Sequence, residues 1–340
     1  MVNYMSCIEN INKFIVPNDL VFTLMNVYKY IGKNDLYRKV ASNDMHRIVS
    51  QTIERDAFFL SKLIELDISD ARLRLIITKN SEARNREERV LYNIKELLSL
   101  FSQNPKRQEL SSIDLSNIIN YVYANQNIKY DQLKEERKNG HNYVNLGSKR
   151  DLIDKINNHI NSLSPDSVEN IILALNYFVD LYAIKPFNAH NDTLVYLVLY
   201  LLLLKSDCEC LLYVSLFEMI YKNKKDFDDY LMQAFYTWKE GLPQILPFVR
   251  FFSKIILDLY KHADDIIKTY ESDQNINKGD NIENTIMRLP NIFTKDEIRL
   301  IHPYVSESTI NRALTKLRDE NIIRPLGKGR SAKWIKVGIK

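Results

Sequence analysis

Apolar residues recur three and four positions apart over about the first 270 residues, which is the spacing of helices that bury one face. The spacing is clearest over residues 51–77, 84–103 and 114–126, and either Asp114 or Ser116 is placed to cap the last of these helices. Residues 130–139 continue the helical spacing. Further helices are predicted over residues 148–163, 164–184, 211–223, 225–241 and 243–272. The pattern therefore predicts a mainly α body.

Two segments interrupt this helical pattern. Asn139-Gly140 is a favoured two-residue hairpin turn, so a small β-hairpin is predicted within residues 138–151. A polar loop then leads into the apolar run Leu194–Leu204. That run is about half the length that a membrane-spanning helix needs, so it predicts a buried helix and no membrane span.

Composition narrows the class of protein. Only eight Gly and nine Pro occur in 340 residues, which argues against sandwiches and barrels with many tight turns. The three cysteines form no CxxC pair, so neither a disulfide framework nor a zinc site is predicted, and no metal ligands are proposed. The N-terminus lacks the basic start and apolar core of a signal peptide. A cytoplasmic protein is the expectation.

The last fifth of the chain differs in charge from the rest. From Glu283 to Lys340 there are 12 Lys and Arg against six Asp and Glu, whereas the remainder carries 35 against 37. The same region predicts three helices. The first ends near Leu289, the second is capped by Thr294 with Glu297 at the capping-box spacing, and the third is capped by Ser306 or Ser308. Short strands are predicted at 321–326 and 332–337.

This order of elements resembles the winged helix-turn-helix family. The resemblance implies a third helix whose inner face holds Ile310, Ala313, Leu314 and Leu317 and whose outer face enters a DNA groove. The residues expected to contact DNA are Asn311, Arg312, Thr315 and Lys316 on that helix and Lys328, Arg330 and Lys333 in the hairpin. A winged helix used for dimerisation or as a lid is the alternative.

The loop before the apolar run has the sequence KPFNAHNDTLVY, residues 185–196. It resembles the motif of the Fic family, whose usual form is HPFxxGNGRxxR, because Pro186, Phe187 and Asn191 match three of its eight fixed positions. The preceding segment VENIILALNYFVDLYAI and the following LLYVSLFEMIYKN also resemble the family, in which a trailing winged helix is a known arrangement. The resemblance spans residues 20–337 and implies a Fic-like helical bundle.

In an active Fic enzyme, the motif would transfer AMP from ATP, with Mg²⁺ as the metal, to a protein hydroxyl. Its His acts as a base, its Gly-Asn-Gly turn cradles phosphate at a helix N-terminus, and its arginines hold the phosphates. The nucleotide-binding positions here are therefore Phe187, Asn191, Asp192, Thr193 and Tyr196, and the catalytic positions are Lys185 and His190.

Five of the positions depart from the motif in ways that oppose this chemistry. Lys185 replaces the His, and a lysine that carries its proton at neutral pH cannot accept another. His190 and Asp192 replace the glycines, so side chains stand where the family has none and one carries a negative charge. Thr193 and Tyr196 replace the arginines and have no guanidinium. A helix-capping loop without a ligand is the alternative, since Asn and Asp favour caps.

Two further family features have weaker counterparts. The inhibitory helix of some Fic proteins has the form (S/T)xxxE(G/N), and Ser61 and Glu65 have that spacing, followed by Leu66. Its usual Arg partner is replaced by Tyr196, so the alternative is an ordinary surface pair. The hairpin near residues 138–148 corresponds to the flap that docks a target protein by strand pairing.

The predicted organisation is an N-terminal helical region over 1–110, with the inhibitory-helix equivalent near 57–70, a Fic-like core over 111–272, a linker over 273–282 and a winged helix over 283–340. The favoured function is a degenerate Fic protein without adenylyltransferase activity that acts by binding, with DNA as a partner. The first alternative is an active transferase that uses Lys185 or His190 with ATP and Mg²⁺. The second is a transcription regulator whose body serves to form a homodimer.

Overall fold

The computed structural model describes residues 7–136, 143–164, 167–236, 238, 241, 243–274, 278–327 and 332–337, with backbone only for 134–136, 143–146, 273–274 and 278–280. The fold is mainly α, as predicted. Its helices are α1 (Asn18–Ile31), α2 (Asn34–Val40), α3 (Met45–Leu63), α4 (Asp70–Lys79), α5 (Arg86–Gln103), α6 (Ser112–Val122), α7 (Lys149–Ser162), α8 (Asn170–Ile184), α9 (Asn191–Lys205), α10 (Leu216–Lys222), α11 (Lys224–Tyr236), α12 (Leu246–Gln274), α13 (Lys278–Arg288), α14 (Lys295–Ile301) and α15 (Glu307–Asp319). Its strands are β1 (Gln132–Glu136), β2 (Tyr143–Ser148), β3 (Ile292–Thr294), β4 (Ile323–Pro325) and β5 (Lys333–Lys336).

The chain divides into two compact units. Unit 1 comprises Met1–Ile31 and Ile53–Leu259, and unit 2 comprises Gly32–Thr52 and Tyr260–Lys340. The boundaries drawn from the sequence at 110 and at 273–282 stay predictions. Among the described residues, no helix is both long enough and apolar enough to span a membrane.

The core of unit 1 is built around α8 and α9. From Leu194 to Leu204 helix α9 is apolar on every side, and its residues from Leu197 to Leu201 are all fully buried. A helix with no polar face must be surrounded by protein, and α5, α6 and α8 pack against it. The predicted burial of the run Leu194–Leu204 is therefore confirmed for most of its length. The polar loop before this helix belongs to the candidate site.

The segment 130–139 was predicted as helix, and this prediction is wrong for residues 130–136, while residues 137–139 lie outside the described residues. Gln132–Glu136 forms β1, which pairs antiparallel with β2, Gln132 opposite Ser148 and Glu136 opposite Tyr143. The charged residues of this segment suit a helix, but pairing with a strand that follows it in sequence satisfies its backbone groups instead. The predicted turn Asn139-Gly140 lies outside the described residues, and target docking by the 138–148 hairpin stays a prediction.

The predicted cap of the 114–126 helix is also wrong. Ser111 caps α6, since its hydroxyl accepts from the N–H of Asp114 and the Asp114 carboxylate accepts from the N–H of Ser111. Asp114 thus serves as the third residue of a capping box instead of the cap itself. Helix α8 likewise begins later than predicted, because the Glu169 carboxylate caps it by accepting from Ile171 and Ile172.

Unit 2 contains α2, α13, α14, α15 and the three-stranded antiparallel sheet β3-β5-β4. Thr294 and Glu297 form the predicted capping box of α14, and Ser306 is the residue that caps α15. The two predicted strands are confirmed as β4 and β5, whereas β3 was missed because it is only three residues long. The ammonium of Lys336 in β5 donates to the carbonyls of Met287 and Leu289 at the C-terminal end of α13.

Candidate functional site

The loop between α8 and α9 is held by backbone bonds to the segment before β1. Lys185 ends α8 in the left-handed region at φ 46°, and its N–H donates to the carbonyl of Leu181. The carbonyl of Pro186 accepts from the N–H of Asp131 at 2.8 Å, and the N–H of Asn188 donates to the carbonyl of Lys129 at 3.1 Å. The loop therefore has a fixed course across the start of α9.

Asn191, one of the three motif residues that this chain retains, closes the loop on itself. Its side-chain oxygen accepts from the N–H of Phe187 at 2.9 Å, and its amide donates to the carbonyl of Phe187 at 2.7 Å. The ring of Phe187 is buried and contacts the ring of Tyr130, with the centroids 4.4 Å apart. Asn191 and Phe187 thus stabilise the loop itself.

His190 occupies the position of the first motif glycine, in the left-handed region at φ 58°. Its ring stacks on Tyr123, with centroids 3.6 Å apart and planes 11° from parallel, and Nε2 lies 2.8 Å from Oε1 of Gln126. Partial burial lowers the pKa of His190, while the charge of Glu87 opposes that shift. The imidazole is therefore neutral at pH 7 and turned towards the residues that directly follow α6.

Thr193 and Tyr196 stand at the positions of the two motif arginines, and their side chains also contact other residues of the protein. The Thr193 hydroxyl is buried and lies 2.7 Å from the hydroxyl of Tyr123. The Tyr196 ring is half-buried between Phe217 and Phe227, with centroids 6.0 Å and 6.1 Å away. Burial raises the pKa of Tyr196, with smaller contributions in the same direction from nearby negative charges. Neither residue presents a positive charge to the loop.

Two of the predicted site residues in the loop region, Lys185 and Asp192, are exposed. The Lys185 side chain points to solvent with its ammonium 5.8 Å from the centre of the Tyr182 ring, a cation–π distance. Asp192 is exposed in the first turn of α9, where its carboxylate interacts favourably with the helix dipole. Neither side chain is therefore enclosed by the protein.

Ser61 and Glu65 do not lie on one helical face. Ser61 is buried, and its hydroxyl donates to the carbonyl of Phe58 at 2.7 Å. Helix α3 ends at Leu63, and Glu65 follows it at φ 57° with an exposed side chain. The N–H of Leu66 donates to the carbonyl of Ser61, which completes the bond pattern of a Schellman motif. Ser61 and Glu65 thus end a helix, and the surface-pair alternative does not hold for the buried Ser61.

The predicted outer face of the third tail helix is present on α15. Arg312, Thr315 and Lys316 are exposed and Asn311 is partly exposed, whereas Ile310, Ala313, Leu314 and Leu317 are buried. Ser308, Asn311, Arg312, Thr315, Lys316 and Asp319 together line one shallow surface depression. Lys333 is exposed on β5, and Lys328 and Arg330 lie outside the described residues.

Two carboxylates in unit 1 that are fully buried were missed by sequence reasoning. Asp180 of α8 accepts from the N–H of Cys7 at 2.6 Å, the N–H of Ile8 at 2.9 Å and the indole N–H of Trp238 at 2.7 Å. Burial raises the pKa of Asp180 to about 6, and the N–H donors oppose the rise. An acid within the otherwise apolar segment NYFVDLYAI was the available signal.

Asp56 of α3 is the second buried carboxylate. Its Oδ1 accepts from the hydroxyl of Ser215 at 2.6 Å and from the N–H of Phe217 at 3.0 Å. Its Oδ2 is buried and has no hydrogen-bond partner among the described residues. Burial raises the pKa of Asp56 to about 7. Within the described part of the chain, no group of His, Cys, Asp and Glu is placed to hold a metal ion.

Comparison with protein-family models and with curated proteins gave no match. Solved structures did match. A Fic family protein from Desulfovibrio desulfuricans superposes with a TM-score of 0.55 at 11% identity, over 96% of this chain and 98% of that one. A Fic domain containing signaling protein from Bacteroides thetaiotaomicron superposes with a TM-score of 0.50 at 14% identity, over 72% of this chain and 97% of that one. The chain therefore has a Fic-like fold.

Proposed function

We propose that this chain is a Fic-fold protein that does not transfer nucleotides and acts by binding a partner. The observation that supports the proposal is that the polar groups of the loop between α8 and α9 already contact other residues of the protein. The Asn191 amide bonds Phe187, the Thr193 hydroxyl meets that of Tyr123, and the His190 ring stacks on Tyr123. These groups already have protein partners and would have to give them up to hold a phosphate.

ATP with Mg²⁺ does not fit this loop. Phosphate binding at a helix N-terminus needs open backbone N–H groups and nearby cations. At the start of α9, His190 adds a side chain where the family has glycine, and Asp192 adds an exposed carboxylate that repels phosphate. Thr193 and Tyr196 supply no positive charge.

The test is transfer of label from ATP, with titration calorimetry for binding. The full chain, incubated with Mg²⁺ and ATP labelled on the α-phosphate, is expected to show neither heat of binding nor label on itself or on lysate proteins. Label that is lost in Lys185→Ala but kept in Lys225→Ala, a matched change at another exposed lysine, would establish the alternative enzyme that uses Lys185. Label lost in His190→Ala would establish the alternative that uses His190.

A second candidate function is DNA binding through unit 2, for which we propose a winged-helix arrangement. The order of three helices and a small antiparallel sheet supports it. So does α15, whose buried residues leave Asn311, Arg312 and Thr315 on the outer face. Asn and Arg are side chains that read base edges, and an exposed Lys contacts phosphate.

The test of this second function is a gel shift at low and moderate salt. Arg312→Ala combined with Lys316→Ala is expected to weaken binding at least about tenfold, because two cationic contacts are lost and each is worth about 1 kcal/mol. Lys29→Ala, which removes one charge from an exposed position in unit 1, is expected to change little. Absence of any shift by the wild-type chain at low salt would exclude this function.

A further inference from the structure

One cation on the outer face of α15 forms an ion pair with a carboxylate on a neighbouring helix. Helix α13 packs beside α15 within unit 2. The ammonium of Lys316 on α15 lies 2.8 Å from Oε1 and 2.9 Å from Oε2 of Glu283 on α13. Both carboxylate oxygens thus contact the same ammonium.

This ion pair lies at the surface. The Lys316 side chain is 52% exposed and the Glu283 side chain is 21% exposed, so solvent and a large ligand can reach the lysine while the glutamate is partly enclosed. An exposed ion pair of this kind contributes about 0–1 kcal/mol. A competing anion can therefore exchange with the carboxylate at a modest cost.

A carboxylate on an ammonium stands where a phosphate oxygen would bind. A Lys–phosphate contact fixes a protein on a duplex without reading its sequence, so it strengthens every DNA complex alike. When such a lysine is already paired, a phosphate must displace the carboxylate and approach it against like-charge repulsion. Contacts of Asn311 and Arg312 with base edges, as proposed above, would not carry this cost.

We propose that Glu283 competes with nucleic-acid phosphate for Lys316 and so lowers sequence-independent affinity at the α15 face. This inference rests on the DNA-binding function proposed above. Glu283 acts through Lys316, so it is a positioning residue that shifts the balance from phosphate contacts towards base contacts.

The experiment is a double-mutant cycle measured by filter binding with a radiolabelled DNA duplex of mixed sequence. The full-length wild-type chain, Glu283→Gln, Lys316→Ala and the double variant are compared at one low salt concentration. Glu283→Gln is expected to tighten binding about twofold to fivefold, because the surface ion pair it removes is worth up to about 1 kcal/mol. In the Lys316→Ala background the same substitution is expected to tighten binding no more than the removal of a distant surface charge does, since the lysine that it releases is gone.

The matched control is Glu320→Gln, which removes the same charge from an exposed residue that follows α15. It is expected to tighten binding less than Glu283→Gln does, because it acts only over a screened distance. Three results would each overturn the inference while leaving DNA binding intact. Glu283→Gln could have the same effect with and without Lys316, the two Glu→Gln changes could have equal effects, or Glu283→Gln could have no effect. If neither wild type nor Glu283→Gln binds the duplex, the proposed DNA function fails and the inference fails with it.

Discussion

Asp180→Ala is expected to lower the free energy of unfolding by about 3 kcal/mol or more, because each buried donor left without an acceptor costs about 1–3 kcal/mol. Three N–H groups lose their partner: those of Cys7, Ile8 and the Trp238 indole. They come from segments far apart in sequence, so the carboxylate ties both of those segments to α8. Urea unfolding followed by circular dichroism measures the loss.

The control for this prediction is Asp67→Ala, the same substitution at an exposed residue between α3 and α4, which is expected to have little effect. Trp238→Phe removes one of the three donors and is expected to cost about 1 kcal/mol in the wild-type chain. In the Asp180→Ala background its cost should be smaller, because the acceptor is already absent. Additive costs of these two substitutions would contradict the role assigned to Asp180.

Asp56→Asn is expected to change how stability depends on pH. The pKa of Asp56 is raised to about 7 by burial, well above the ordinary value of 3.8. A carboxyl whose pKa is higher in the folded chain stabilises the fold fully below its unfolded pKa, and this contribution is lost as pH rises to the folded pKa. The wild-type chain should therefore lose up to about 4 kcal/mol of unfolding free energy between about pH 4 and pH 7 from this residue.

The asparagine variant lacks this loss, since an amide does not ionise. Its oxygen can still accept from the Ser215 hydroxyl and the Phe217 N–H, which bond Asp56 through one oxygen only. Relative to wild type, the variant is thus expected to gain stability as pH rises through this window. The contribution of Asp180 to the pH dependence is the same in both chains and cancels in the comparison. Parallel unfolding free energies across the range would show that Asp56 ionises at its ordinary pKa.

Features set by neighbouring residues were predictable from the sequence. The capping box of Thr294 and Glu297 and the buried face of α15 depend on spacings of three and four residues. The run Leu194–Leu204 required burial wherever the rest of the chain lay. The strand at 132–136 was missed because its structure depends on pairing with residues 143–148, and the segment alone has helical spacing.

In the candidate site too, some features were predictable from the sequence and others depend on contacts between distant segments. The motif alignment identified the loop and the positions of Lys185, His190 and Asn191, and the fold comparison supports the Fic-like scaffold around them. It could not identify Tyr123 and Gln126, which hold His190 from 64 and more residues away. Nor could it show that Glu283 pairs with Lys316, because that contact needs α13 and α15 to be adjacent.

The pairing of the Trp238 indole with Asp180 has a practical consequence for observing this protein. The chain has two tryptophans, Trp238 in unit 1 and Trp334 in β5 of unit 2. Indole emission shifts in colour with the polarity of its surroundings, so Trp334→Phe leaves one fluorophore that reports on unit 1 alone. Trp238→Phe leaves one that reports on unit 2. The melting of unit 1 and of unit 2 can thus be recorded separately, from the fluorescence of these two full-length single-tryptophan variants.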